Sequence, residues 1–128
     1  MNNHLVPKLL VSDAQAAITF YTEALGAEVR LRVADDHGVV NHAELTLGAV
    51  VFALAQRVEE WGWSDPRSLG GSPVLLELTV ADPDAVAHRM VRYGAELVIP
   101  VENRPYGKRQ GRVEDPFGHL WVISGELR

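Results

Sequence analysis

The sequence predicts an α+β fold built from two tandem βαβββ modules that form a curved mixed sheet around a cavity. Three observations carry this expectation. "LLVSDAQAAITFYTEALGAEV" (Leu9–Val29) and "LTVADPDAVAHRMVRYGAEL" (Leu78–Leu97) share one order: apolar strand, Asp, helix, Gly-Ala-Glu, strand. Their landmarks keep nearly constant spacing, Asp13 to Asp82 being 69 residues and Gly26 to Gly94 being 68. "ELTLGAVVFAL" (Glu44–Leu54) then aligns with "EDPFGHLWVIS" (Glu114–Ser124) at a spacing of 70, which puts Glu44 on Glu114 and Gly48 on Gly118. Internal repetition at a fixed period decides a fold before any single element does.

Each element has local reasons. Strand 5–11 is apolar and stops at Asp13, an N-cap whose side-chain oxygen can take an orphan N–H of the first helical turn. Ala16, Ala17, Phe20, Tyr21 and Ala24 recur at three- and four-residue steps, giving helix 13–24 one apolar face with Phe20 and Tyr21 in the core. Gly26 stands where a left-handed residue ends a helix. Strands 27–34, 39–47 and 49–56 follow, the last two joined by a turn at Gly48. Residues 57–73 are a long Gly/Pro/Ser-rich connection holding Trp61 and Trp63. The second module repeats the plan over 74–126: strand 74–80, Asp82 as cap, helix 83–93 with Ala85, Val86, Met90 and Tyr93 apolar, strand 96–101, a loop from Pro100 to Lys108, strand 109–115, the turn "DPFG", and strand 119–125. The first module covers about 5–56, and the whole chain, 1–128, reads as one domain.

Composition narrows the function classes. The 128 residues are 47% hydrophobic and 23% charged, as expected of a globular chain,. No apolar run approaches a membrane span. Met1–His4 lack the charged and apolar regions of a secretion signal, so a cytoplasmic location is expected. With no cysteine there is no disulfide, thiolate nucleophile or cysteine metal site,. A net charge of −5 argues against nucleic-acid binding, which needs clustered Lys and Arg,. Phosphate-loop, nucleophile-elbow and zinc motifs are absent from the sequence.

Strand periodicity then assigns faces. Leu76, Leu78 and Val80 form the apolar set that goes under a helix, which leaves Leu75, Glu77 and Thr79 on the open face. Ala43, Leu45 and Leu47 likewise go under, with His42, Glu44 and Thr46 opposite. Parity adds Val6, Lys8 and Leu10, then Val50, Phe52 and Leu54, then Gln110, Arg112 and Glu114, then Leu120, Val122 and Ser124. Trp121 and Ile123 fall on the helix side. Open faces that curve around a shared space would mix apolar walls with a few ionisable groups, as ligand pockets do. The plainer reading is a solvated sheet face.

The residues "VSDAQAAITFYTEALGAEV", "NHAELTLGAVVFAL" and "VEDPFGHLWVIS" together resemble the vicinal oxygen chelate superfamily, in its glyoxalase/bleomycin-resistance protein/dioxygenase branch with its PhnB-like members. The resemblance covers nearly the whole chain and implies the glyoxalase/bleomycin resistance fold. It also implies where a divalent metal would be held: five residues before the valine that ends each first strand, and four after each turn glycine. Those positions carry Val6, Leu75, Phe52 and Val122. None can donate an electron pair to a metal, so neither a metal nor another cofactor is expected.

The resemblance therefore points first to a metal-free binding protein, with enzymatic activity left open as the alternative. Its ligand would be a flat, partly apolar natural product or antibiotic, sequestered for drug resistance or self-protection. The expected ligand-binding residues are Val6, Lys8, His42, Phe52, Leu54, Trp61, Trp63, Leu75, Glu77, Tyr106, Arg112 and Val122. Trp61, Trp63 and Tyr106 supply aromatic walls, although a loop tryptophan is as often an anchor or a partner contact. The alternative is an isomerase, epimerase or lyase using His42 and Glu44 as an acid–base pair, or holding a metal at a non-standard site. Against it stands the reading of the two side chains as a solvated couple. Lys8 and Glu77, equivalent in the repeat, are candidates for a cross-module ion pair. His119 reads as structural, and His4, His37 and His88 as exposed. The resemblance further implies a homodimer, and Pro7 suits an edge strand.

Overall fold

Asp13 caps the first helix by accepting the Ala16 N–H at 3.0 Å, and Asp82 caps the last by accepting that of Ala85 at 3.1 Å,. The computed structural model describes residues 2–128; Met1, the first residue of the expected domain, lies outside them. The first module comprises β1 (Lys8–Val11), α1 (Ala14–Leu25), β2 (Glu28–Ala34), β3 (Val40–Leu47) and β4 (Val50–Gln56). The second comprises β5 (Leu75–Thr79), α3 (Pro83–Arg92), β6 (Glu96–Asn103), β7 (Arg109–Glu114) and β8 (Leu120–Gly125). The two sheets have orders β1-β4-β3-β2 and β5-β8-β7-β6, with the first pair of each parallel and the rest antiparallel. This is the expected α+β architecture.

Several boundaries differ from expectation for local reasons. β1 begins at Lys8, after Pro7, which has no N–H to give a ladder,. The connection is not plain loop: it holds a 3₁₀ turn at Glu59–Trp61 and the short helix α2 (Pro66–Leu69). Proline at the first helical position is the signal for α2. Asp65 just before it is fully buried and accepts hydrogen bonds from Arg57 at 3.0 Å and Ser68 at 2.5 Å, which fold the connection onto the end of β4. In α3 the buried residues are Pro83, Ala87 and Met90, whereas Ala85 and Tyr93 are exposed. Gly26 closes α1 at φ 72°, its N–H bonded to the Tyr21 carbonyl, a conformation costly for any residue with a Cβ,.

Register corrects the facing of one strand. Opposed residues share a face, and Ala43 and Leu45 lie opposite Leu54 and Phe52,. Phe52 and Leu54 therefore belong to the helix side, buried with Ala43 and Leu45, and not to the open face. Val51, Ala53 and Ala55 take the open positions, beside Lys8 and Leu10 of β1. The reason is hairpin length. Leu47 pairs with Val50 around a two-residue turn, whereas Glu114 pairs with Leu120 around the longer Asp115–His119 turn. Matching Gly48 to Gly118 shifts β4 by one residue, and one residue reverses a strand's faces. In the pairings, Thr46 and not Glu44 corresponds to Glu114, opposite Glu28 and Glu96 respectively. That two-residue error left the faces of β3 and β7 correctly assigned.

The helix sides of both sheets enter one core. Tyr21 on α1 packs edge-on against Phe52 at 5.4 Å and lies 5.8 Å from Trp121, while Phe52 lies 6.0 Å from Trp121. The Tyr21 hydroxyl donates to the buried Asp115 side chain at 2.5 Å, and the Trp121 indole N–H donates to the same oxygen at 3.0 Å. The other Asp115 oxygen accepts the N–H groups of Phe117 and His119. His119 keeps its structural role: its Nε2 donates to the Leu10 carbonyl at 2.8 Å, joining the turn of one module to β1 of the other.

Burial, and next the neighbouring Asp115, push the Tyr21 phenol well above its usual value. Tyr21→Phe is expected to cost about 1–3 kcal/mol, read by urea unfolding. Asp115→Ala, which orphans four donors, is expected to cost at least about 3 kcal/mol. The unfolded tyrosine ionises near its ordinary value of about 10 while native Tyr21 stays protonated, so the native state binds more protons above that pH and stability falls as pH rises. Tyr21→Phe should flatten that alkaline decline.

Candidate functional site

With both helix sides in one core, the two open faces turn away from it, and each bears its own recess within a single chain. The recess of the second module has a volume of about 290 Å³. Register puts Leu75 and Glu77 of β5 opposite Leu120 and Val122 of β8, and Val122 opposite Arg112 of β7, so one face carries them all. The expected site residues Leu75, Glu77, Tyr106, Arg112 and Val122 come together here.

A bulge in β6 shapes this recess. Ile99 pairs with Arg112 and Glu102 with Gln110, which leaves Pro100 and Val101 facing Gly111 alone,. A Cβ on Gly111 would stand 2.6 Å from Val101 Cγ2 and 2.8 Å from the Ile99 carbonyl oxygen, so only glycine lets the bulge close. Arg104 ties the following turn back, its guanidinium donating to the carbonyls of Gln110 and Pro100. Tyr106 is thereby carried to the rim, its hydroxyl donating to Gln110 Oε1 at 2.7 Å. Ile99 and Arg104 also line the recess and were missed in the sequence, because only the bulge brings them over β7.

Charges here are mostly committed. Glu77 lies 3.7 Å from Lys108 Nζ and accepts from Gln110 at 3.5 Å. The expected Lys8–Glu77 pair does not form; Lys8 Nζ instead sits 5.0 Å from the centre of the Trp63 ring, a cation–π contact on the first module,. Arg112 is different. Its Nε is fully buried without a hydrogen-bond partner, and among the described residues it makes no ion pair.

The first module's recess, about 480 Å³, is lined by Val6, Val50, Val51, Arg30 and Glu44, with His4 and Leu5 at its mouth. His42 Nε2 lies 2.8 Å from Glu44 Oε2, and Arg30 Nε lies 3.5 Å from Oε1. The bond from His42, against a smaller opposing effect of desolvation and with help from Arg30, holds the Glu44 carboxyl below its usual range. A carboxylate so held is a weak general base near neutral pH.

The remaining expected residues lie elsewhere. Phe52 joins Pro7, Leu9, Leu76, Leu78 and Trp121 around a mainly apolar groove of about 380 Å³ between the modules. Leu54 is wholly interior. Trp61 and Trp63 form an edge-to-face pair at 5.2 Å, with Trp61 63% exposed, and line none of these three recesses.

The family model of the Glyoxalase/Bleomycin resistance protein/Dioxygenase superfamily matches residues 2–123. The chain belongs to this superfamily. Among curated relatives it is 40% identical over 127 residues to the uncharacterized protein Mb0911c of Mycobacterium bovis, covering 97% of this chain and 84% of that one. Among solved structures, a gene product of Arabidopsis thaliana is 30% identical with a TM-score of 0.80, covering 97% of this chain and 99% of the other. TioX from Micromonospora sp. ML1 is 27% identical with a TM-score of 0.75, covering 98% and 100%. A PhnB protein from Bacillus cereus, 20% identical with a TM-score of 0.76 over 96% and 99%, shares the fold.

The superfamily's usual metal does not fit these side chains. Val6, Leu75 and Val122 stand at three of its four positions, and register replaces Phe52 by Ala53 as the counterpart of Val122. None of the four offers a lone pair. Among the described residues, no three His, Asp or Glu side chains converge as a metal site needs,. No helix is long and apolar enough to cross a membrane.

Gly111→Ala should destabilise the chain by about 1–3 kcal/mol through overpacking against the β6 backbone, measured as a lowered melting temperature. Arg104→Ala should loosen the same turn, seen as faster amide exchange over residues 104–108.

Proposed function

We propose that this protein binds a small molecule without a metal, sequestering a flat, partly apolar natural product or antibiotic. The observation that carries the reading is the second module's recess, where Leu75, Ile99, Val122 and the Tyr106 ring make apolar walls around one uncommitted guanidinium. Such a lining holds and orients a ligand. Apolar residues at the superfamily's ligand positions support a role in binding over metal-assisted chemistry. An intracellular, cytoplasmic setting goes with this reading.

A homodimer is part of the proposal. Each recess is lined by one module, and both open faces leave apolar groups uncovered, among them Leu31 and Val33 at 44% exposure and Leu75 at 46%. A second copy that sets its first module over the second module of its partner would enclose two equivalent cavities. Patches of this kind on a chain that keeps no partner are uncommon.

The acid–base alternative rests on the 2.8 Å His42–Glu44 contact. The lowered Glu44 carboxyl favours a fixed, hydrogen-bonded carboxylate over a proton carrier, and binding is the better-supported reading.

Titrating planar polycyclic compounds while following tryptophan fluorescence and thermal unfolding tests the proposal. Saturable quenching with a raised melting temperature is expected for at least one compound class, in a stoichiometry of one per chain. No response across a broad panel would sink the reading, as would one equivalent of tightly held metal in protein purified without chelator. Light scattering should report a dimer; a monomer would remove the enclosed cavity.

A further inference from the structure

We infer that Arg112 selects for ligands that carry an anionic oxygen group, so that the occupant of the second module's recess is an acidic, partly apolar small molecule. The inference rests on the binding role proposed above and names the ligand's chemistry.

A guanidinium stays charged at any pH a protein meets and has only donors to offer. Desolvating it without an acceptor is costly. The other cation lining the recess has partners, since Arg104 bonds two carbonyls and lies 3.7 Å from Glu102, and Lys108 nearby lies 3.7 Å from Glu77. Glu77 is directed to Lys108 and Gln110, and Gln110 in turn to Ser124 at 3.0 Å and to the Tyr106 hydroxyl. None of these groups bonds Arg112, whose Nε is buried without a hydrogen-bond partner.

The geometry around it specifies the rest of the ligand. Arg112 sits directly between Ile99 on β6 and Val122 on β8, so its donors rise from an apolar floor. The Tyr106 ring stands at the rim, fixed by its bond to Gln110. A carboxylate matches the planar fork of the guanidinium in two parallel bonds, while a hydrophobic or planar body covers Leu75, Ile99 and Val122. The chain as a whole carries a net charge of −5 and repels anions at long range. Selection for an anion therefore has to come from a local charge of this kind.

The test compares 2-naphthoate with naphthalene-2-methanol, of similar size and shape, by isothermal titration calorimetry on the intact protein. Wild type is expected to prefer the carboxylate by at least about tenfold, the scale of one charge-assisted hydrogen bond. Arg112→Met, which keeps the apolar stem, should bring the two affinities within about threefold of one another. Arg112→Gln is read in the same way if the methionine variant does not fold. Equal binding of the two probes to wild type, or a preference that survives in the variant, would overturn the inference while leaving the binding role intact. Binding of neither probe at millimolar concentration would overturn the inference, while the binding role stands or falls with the broad panel above.

Discussion

The side chain of Asp115 holds the two modules in their arrangement. Fully buried, it accepts hydrogen bonds from the Tyr21 hydroxyl of the first module and from Trp121, Phe117 and His119 of the second. Burying a group of this polarity is costly unless it is hydrogen-bonded, and here each oxygen takes two donors,. The bonds draw α1 over the β7–β8 turn, and His119 extends the link to the backbone of β1. The aromatic rings of Phe20, Tyr21, Phe52, Phe117 and Trp121 fill the space around it. Because this hub lies on the helix side of both sheets, the open sides must face outward, and the recesses of one chain stay separate.

Much of this was legible in the sequence. The caps Asp13 and Asp82, the helix end at Gly26 and the order of elements along the chain follow from short-range chemistry, and the repeat supplied the architecture. Facing was correct wherever a strand's own apolar alternation decided it, as for Leu76 and Leu78 or Ala43 and Leu45. It failed in β4, where "VVFALA" is apolar at every position and parity had to be borrowed from the turn glycine. Gly48 and Gly118 occupy different places in turns of different length, so the borrowed parity was off by one. Phe52 and Leu54 were misplaced together for that single reason.

The site was less legible because its wall is not built by periodicity. Leu75, Glu77, Arg112 and Val122 could be grouped by alternation along straight strands. Ile99 and Arg104 could not, since the Pro100 bulge that brings them over Gly111 depends on pairing between β6 and β7. Proline within a strand signals irregularity without giving its direction. The tryptophans illustrate the opposite case: a Gly-rich segment with two indoles suggested aromatic walls for a ligand, yet Trp63 is held by Trp61 and Lys8 beside β1.

The misplacement of Phe52 leaves the chemical conclusion about the metal intact, for a physical reason. Exchanging Phe52 for Ala53 replaces one side chain without a lone pair by another, so the donor set stays empty under either register. What does change is the shape of the first module's open face. Ala53 and Ala55, both small and buried, stand beside Lys8 and Leu10 where a phenylalanine and a leucine were expected. In the binding role proposed above, recognition falls to the second module, where the bulge of β6 builds a wall and Arg112 lacks a partner of its own.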